Sequence, residues 1–430
     1  MSVWNALIGQ DAVVEELARA AAGGGAMTHA WLITGPPGSG RSTAAAAFAS
    51  ALQCPDGGCG ECAICRGART GTHPDVEIVR SETLSYSAED ARELVSRSSV
   101  LPLEAPWHVV IVEDADRFTD QAVNVLLKVL EEPPPHLVWI LCAPSSEDVL
   151  PTIRSRTRLV HLRTPSTAEV SEALQERDSV DPAMAAFAAR ASQGHIGRAR
   201  ALATDEGVRL RRQEILRMPG ALRDLSSCFA AAGELLASAM EDAASITDVL
   251  DAEEEEELRR AYGEGAEGVT KARMDRLTSK PMKDLQKMQK SRRTRAVRDQ
   301  VDRALLDLLS FYRDVLVLQL GAEVPLVNDE MRTQLTHEAS TSSASDTARR
   351  LDAIERCRLA VHANGALPLV LEGLMVQLRD PLVLSRSRSG PAEGLGGALQ
   401  AVGIGRHPLQ GRAEHGIRRT RNVRCSQQRG

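Results

Sequence analysis

Residues 31–42 read Trp31-Leu32-Ile33-Thr34-Gly35-Pro36-Pro37-Gly38-Ser39-Gly40-Arg41-Ser42. An apolar run enters a glycine-rich loop, and a helical pattern starts where the loop ends. Strand, loop and helix start in that order make a phosphate loop. Its glycines let successive backbone N–H groups turn inward at a helix N-terminus, which forms an anion nest. The stretch fits G-x-x-x-x-G-K-[ST] at every position except the lysine, which is Arg41. Gly35, Gly38, Gly40, Arg41 and Ser42 are therefore the candidate phosphate-binding residues, with Ser42 the residue type that ligates Mg²⁺. A lysine bridges the β- and γ-phosphates as a compact point charge. Arginine is longer, planar and forked, so it reproduces that contact poorly. The chain has only six lysines, Lys128 and five between Lys271 and Lys290, so a general preference for arginine is another source of Arg41.

Directly after the helix that follows this loop come Cys54, Cys59, Cys62 and Cys65, spaced C-x4-C-x2-C-x2-C. Four thiolates can wrap one tetrahedral Zn²⁺, with Pro55, Gly57, Gly58 and Gly60 supplying the turns. An iron–sulfur cluster and a reduced, metal-free loop are the alternatives. The fourth cysteine of an iron–sulfur run usually stands before a proline, and here it does not. Four ligands leave no open position, so the expected role is structural. The remaining cysteines are isolated.

The first 162 residues alternate strand-like and helical runs, the pattern of a parallel α/β sheet. Strands are expected over Ala30–Thr34, Asp75–Val79, Trp107–Val112, Leu137–Cys142 and Arg158–His161. Helices are expected over Ser42–Leu52, Ala88–Ser98 and Gln121–Glu131, the last stopped by Pro133-Pro134-Pro135. From Ser166 onward the pattern is helical, with a helix start near Pro182 and a break at Gly194–Gly197. A further helical run extends from Val297 to Leu320, and another from Thr347 to Gln377. Residues 251–257 read DAEEEEE, and 271–298 hold eleven basic residues against two acidic ones. This opposed-charge segment reads as a solvated insertion, with a long helical hairpin as one form of it. A nucleic-acid-binding module is the rival reading, against which the balanced charge speaks. From Ser385 on, nine arginines, many glycines and no periodicity read as a disordered tail.

The net charge of −6 gives no whole-chain signature of nucleic-acid binding. Neither a leader-like segment nor an apolar run of about 18 residues is found, which points to a cytoplasmic protein without a membrane span. At the end of one apolar run stand Glu113 and Asp114, in the stretch VVIVEDAD. A phosphate-loop enzyme usually ends this strand with Asp, for the metal shell, followed by Glu, which activates water. The reversed order lengthens one carboxylate and shortens the other, misplacing both by about an ångström.

Several further segments carry a resemblance: Ile8-Gly9-Gln10, His29-Ala30-Trp31-Leu32, His73-Pro74-Asp75, Leu126-Leu127-Lys128-Val129-Leu130-Glu131-Glu132-Pro133 and Leu150-Pro151-Thr152-Ile153-Arg154-Ser155-Arg156. With the phosphate loop and the cysteine cluster, they resemble the AAA+ subunits of the bacterial DNA polymerase III clamp loader. The resemblance runs from about Trp4 into the 380s and is strongest over the first 200 residues. It implies an AAA+ P-loop domain over 1–162 with an inserted zinc knuckle at 54–65. A helical lid over 163–217 and a helical collar for oligomerisation over 218–384 follow, the collar carrying the charged insertion at about 251–298. The tail occupies 385–430.

The family holds ATP-hydrolysing subunits and a non-hydrolysing one. Arg41, the inverted acids, Ala143-Pro144 in the sensor-1 stretch CAPSS, and Gly197 at the sensor-2 arginine position favour the second. Arg198, one residue on, points about 100° away on a helix. The resemblance also implies that Arg156 is an arginine finger offered to a neighbour's ATP, although the family's S-R-C motif here reads S-R-T. Weak or absent ATP/Mg²⁺ binding follows, with little ATPase activity and no polymerase activity in the isolated chain. The implied partners are the gamma/tau ATPase and delta subunits of a hetero-pentamer, and through that assembly the sliding clamp and primer–template DNA. An ATP-hydrolysing subunit, with Arg41 standing in for lysine, is the alternative.

Overall fold

A computed structural model describes residues 2–23, 27–80, 85–261 and 271–380. The expected tail at 385–430 lies outside them, as does the end of the expected collar. Five strands form the sheet: β1 (Ala30–Thr34), β2 (Val76–Val79), β3 (His108–Val112), β4 (Leu137–Ala143) and β5 (Arg158–His161). They match the expected strands to within one residue. Asp75 drops out of β2 because its buried carboxylate has another task. It accepts backbone N–H bonds from Leu103 (2.6 Å), Glu104 (2.9 Å) and Ala105 (3.0 Å), pinning the loop before β3.

All strands are parallel, in the order β2-β3-β4-β1-β5. Side chains alternate between the two faces. Trp31, Ile33, Val109, Ile111, Ile140 and Cys142 pack toward α1 (Asp11–Ala21) and α2 (Arg41–Gln53). Leu32, Val110, Val112, Trp139 and Leu141 pack toward the opposite layer. That layer comprises α4 (Ala88–Ser98) and α5 (Asp120–Glu131), following α3 (Ala63–Thr70) at the cysteine cluster. Six of the ten buried residues of α2 are alanine, and Phe48 meets Trp31 edge-on at 4.9 Å. Because the strands are parallel, the loop after β1 and the acids after β3 emerge at the same sheet edge. In open α/β sheets that edge is where ligands bind.

After the short α6 (Pro151–Arg154) and β5 the chain is helical: α7 (Thr167–Asp178), α8 (Pro182–Ser192), α9 (Ile196–Thr204) and α10 (Glu206–Arg217). Then come α11 (Leu225–Ala261) and α12 (Lys271–Leu320), followed by α13 (Arg332–Thr341), α14 (Ala344–His362) and α15 (Leu367–Arg379). The run expected over Thr347–Gln377 is two helices, parted where Asn364 takes a φ of +63°. The opposed-charge segment is continuous with its neighbours. Its acidic part is the end of α11, and its basic part belongs to the 50-residue α12, which runs through Pro281. Asp248 faces Arg293 at 3.4 Å, while Asp251 and Glu254 face Arg292 at 3.0 and 2.8 Å, so the two helices run antiparallel.

Candidate nucleotide and metal sites

Gly38 and Gly40 adopt φ of +82° and +96°, and α2 starts at Arg41 with no side-chain cap. The loop therefore keeps the backbone shape of an anion nest. Ser39 is buried, and its Oγ has no hydrogen-bond partner among the described residues. Arg41 turns back on the loop, donating from Nη1 to the Gly35 carbonyl at 3.0 Å. Above the loop sits His195, which caps α9 by accepting from the Arg198 N–H at 3.1 Å. A Cβ on Gly38 would lie 2.1 Å from the His195 ring, so only glycine fits beneath it. The Ile196 N–H donates to the Gly38 carbonyl at 3.2 Å, tying α9 to the loop. Burial, and then the positive charges of Arg303, Arg198 and Arg41, hold the His195 imidazole below its ordinary pKa. It is accordingly a neutral ring over the nest.

The two acids after β3 diverge. Both lie in the turn that follows β3, and they take different partners. Arg80, at the end of β2, grips Glu113 with both arms, at 3.0 and 3.2 Å. Asp114 is taken by Arg295 of α12 at 2.6 Å, with Arg117 at 3.9 Å. Asp116, two residues on, has its carboxyl pushed up by burial and then by the Asp114 charge. Each of the two acids that would serve a metal or a water thus has an arginine partner.

Gly197 stands beside the His195 ring, whose Cε1 would lie 3.5 Å from a Cβ there. Arg198 points away, into an ion pair with Asp307 of α12. Arg212 joins the same carboxylate at 3.1 Å and reaches Glu330 at 2.8 Å. The family's IGQ-like segment makes a different kind of contact. Gln10 donates to the Arg163 carbonyl at 2.7 Å and accepts its N–H at 3.2 Å, fastening the N-terminal segment to the exit of β5.

Arg156 lies on the surface after α6. It donates from Nε to Glu131 at 2.8 Å and from Nη1 to the Thr152 carbonyl at 2.9 Å. About a third of its side chain is exposed.

The four cysteines come together as their spacing predicted. All four Sγ atoms lie within 4.8 Å of one another, with Cys54 3.8 Å from both Cys59 and Cys62, and Cys59 4.0 Å from Cys65. Tetrahedral zinc with Zn–S bonds near 2.3 Å needs sulfurs about 3.8 Å apart, so the cluster has the right size for a metal ion. Burial works against a Cys54 thiolate, but N–H donors of Cys59, Gly58 and Asp56 bring it down to about 6. Gly58 has a φ of +95° and a Cβ position only 2.5 Å from Val3. Its carbonyl accepts from the Val3 N–H at 2.9 Å, which anchors the N-terminal segment to the cysteine loop.

The family model described as "DNA polymerase III, delta subunit" matches residues 9–166. The DNA polymerase III subunit gamma/tau of Mycobacterium tuberculosis (strain ATCC 25618 / H37Rv) is 34% identical over 198 residues, covering 44% of this chain and 34% of that protein. Subunit delta' of Bacillus subtilis (strain 168) is 32% identical over 162 residues, covering 37% of this chain and 49% of that protein. Residues 9–166 are thus similar to subunits of DNA polymerase III, gamma/tau and delta' among them. The chain spans about a third to a half of the length of these relatives. A looser likeness links 85% of the chain to 98% of a solved gamma subunit-related protein of Thermotoga maritima, at 17% identity and a TM-score of 0.37, too low to carry an argument.

Within the matched region the structure brings together Gly35, Gly38, Gly40, Arg41 and Ser42 at one loop, and the four cysteines at another. Glu113 and Asp114 share the loop's sheet edge but are held by different arginines. The sequence reading had not selected Arg80, His195 or Arg295. His195 adjoins the Gly194–Gly197 break, which was a visible signal. Arg295 lies 181 residues from Asp114 in a run of basic residues, and no local pattern marks it.

Proposed function

We propose that the chain is a delta-prime-type subunit of the DNA polymerase III clamp loader, a largely non-hydrolysing member that helps place the sliding clamp on primed DNA. Residues 1–162 serve as the AAA+ core, 163–217 as the lid and 218–384 as the collar that joins gamma/tau and delta subunits. The observation that carries the reading is the capture of Asp114 by Arg295. A carboxylate in a charge-assisted bond with a guanidinium is a poor metal ligand or base, because either role requires breaking that bond. With Glu113 held by Arg80, neither acid is free to support hydrolysis. The glycine loop still fits an anion, as the partnerless Ser39 Oγ indicates, but the acids do not fit the accompanying Mg²⁺. No hydrolytic step is therefore assigned to this chain.

Its chemical contribution is made next door. Arg156, partly exposed and fixed by Glu131, is placed to exchange that carboxylate for the γ-phosphate of a neighbour's ATP. A guanidinium there stabilises charge on the transferring phosphoryl group. Cys54, Cys59, Cys62 and Cys65 hold a structural Zn²⁺, which supplies no chemistry and cross-links the turn between α2 and α3.

Reconstitution with the ATPase and delta subunits tests this. Arg156→Ala lowers DNA-stimulated ATP hydrolysis of the assembly at least about tenfold, while assembly itself is retained. Unchanged hydrolysis would remove the finger role. The likeness to gamma/tau subunits favours a second reading, an ATP-hydrolysing subunit. Measurable turnover by the purified chain alone would establish it in place of the first.

A further inference from the structure

The basic stretch of α12 is two surfaces with different partners. Thr278, Met282, Leu285, Gln289 and Arg292 recur at helical spacing on the side toward α11. Gln289 donates to the Asp251 carbonyl at 2.9 Å, and Arg292 spans Asp251 and Glu254. Arg293 and Arg295 reach Asp248 and Asp114. These arginine charges are answered by carboxylates of α11 and of the α/β region. Lys280, Lys283, Lys287 and Lys290 recur at steps of three, four and three, half a turn from the packed side. All four are exposed, and none has an ion-pair partner among the described residues. Asp284 is the one acid in the sequence between them, so residues 280–290 carry four positive charges against one negative.

This stripe contains four of the chain's six lysines. In this stretch Arg292, Arg293 and Arg295, whose forks match a carboxylate, stand where a fixed partner exists. Lysine, a hydrated point charge on a flexible stem, is used where none exists. Four such charges in a line of about 15 Å, on the outside of a helical rod, match a repeating row of anions and no single pocketed phosphate. A recognition site for an acidic peptide would favour arginine forks over exposed lysines.

We propose that the Lys280–Lys290 stripe is a docking surface for the phosphate backbone of duplex DNA, bound without sequence preference. The inference does not depend on which clamp-loader subunit the chain is, because it uses only the outer face of α12. Whole-chain charge hid it: the glutamates of α11 offset the lysines in the total but belong to the other helix of the pair.

The test is fluorescence anisotropy of the full-length chain with a short labelled DNA duplex over a series of KCl concentrations. Four phosphate contacts give a log–log salt slope near −3.6, an affinity loss of about a hundredfold between about 50 and about 200 mM salt. The variant K280Q/K283Q/K287Q/K290Q, checked for unchanged helicity by circular dichroism, flattens that slope by about three to four. The corresponding Lys→Arg variant keeps it, and Lys128→Gln leaves it unchanged. An unaltered slope in the quadruple glutamine variant overturns the proposal. So does wild-type protein that ignores duplex at low salt, or that binds poly-glutamate more tightly than duplex.

Discussion

Two arginines decide what the acids after β3 can do, and both contacts can be tested by substitution. The Arg295–Asp114 pair is mostly shielded from water, so removing Arg295 leaves Asp114 only the longer contact with Arg117. Arg295→Ala therefore lowers unfolding free energy by about 1–3 kcal/mol in urea titrations, the usual cost of a lost charge-assisted bond. Arg41→Lys, which restores the ordinary phosphate-loop residue, does not by itself produce turnover. The expected outcome is tighter nucleotide binding by calorimetry with no phosphate release, because Glu113 and Asp114 keep their partners. Release of phosphate at an ordinary ATPase rate would show that Arg41 alone blocks the reaction. A third carboxylate sets a pH dependence. Burial opposes ionised Asp302, but hydrogen bonds from His362 and Arg358 more than offset it and leave the carboxyl at about 2. A depressed carboxylate stabilises the fold above its unfolded pKa, and that contribution is lost as pH falls through the folded one. The stability gap between wild type and Asp302→Asn thus shrinks by about 2 kcal/mol between pH 5 and pH 2, read from urea midpoints. His362 is raised by the same pair, so its share is present below its unfolded pKa and fades as pH rises through its folded one.

At the scale of elements, the cysteine loop borders the apolar layer on the α2 face of the sheet, with Cys54 and Cys65 buried in it. It lies between α2 and α3, with Cys62 capping α3 by accepting the Cys65 N–H at 3.3 Å. Metal analysis of the purified protein is expected to return one zinc per chain, and Cys59→Ser to reduce it. Stripping the metal with a strong chelator should expose the 54–65 loop to proteolysis and leave the five-stranded sheet folded, since the α4–α5 layer contains none of the four cysteines and the α2 layer contains only Cys54 and Cys65 among many apolar side chains. Loss of the entire fold on chelation would contradict that division. The same scale shows why α11 and α12 escaped a full reading. Acid and base runs separated in sequence look like a solvated insertion until antiparallel packing sets Asp251 and Glu254 against Arg292.

Across the whole molecule, contacts distant in sequence tie the helices after β5 to one another and to the α/β region. Arg198 and Arg212 converge on Asp307, and Arg295 crosses to Asp114. Such ties suit a subunit whose shape matters more than its motion, and they belong to the proposal of a stator beside an active ATPase. The sequence by itself determined the strands, the phosphate loop and the cysteine cluster. Those features are written in short-range terms: apolar runs, glycines at turns and ligand spacing within twelve residues. It also located Glu113, Asp114 and Arg156, because each sits in a contiguous motif. Only the tertiary structure decided which charges are occupied. Arg295 finds Asp114, Arg80 finds Glu113, and the four lysines between 280 and 290 find no ion-pair partner among the described residues. Ion pairing depends on distance in space, and local sequence patterns do not record that distance.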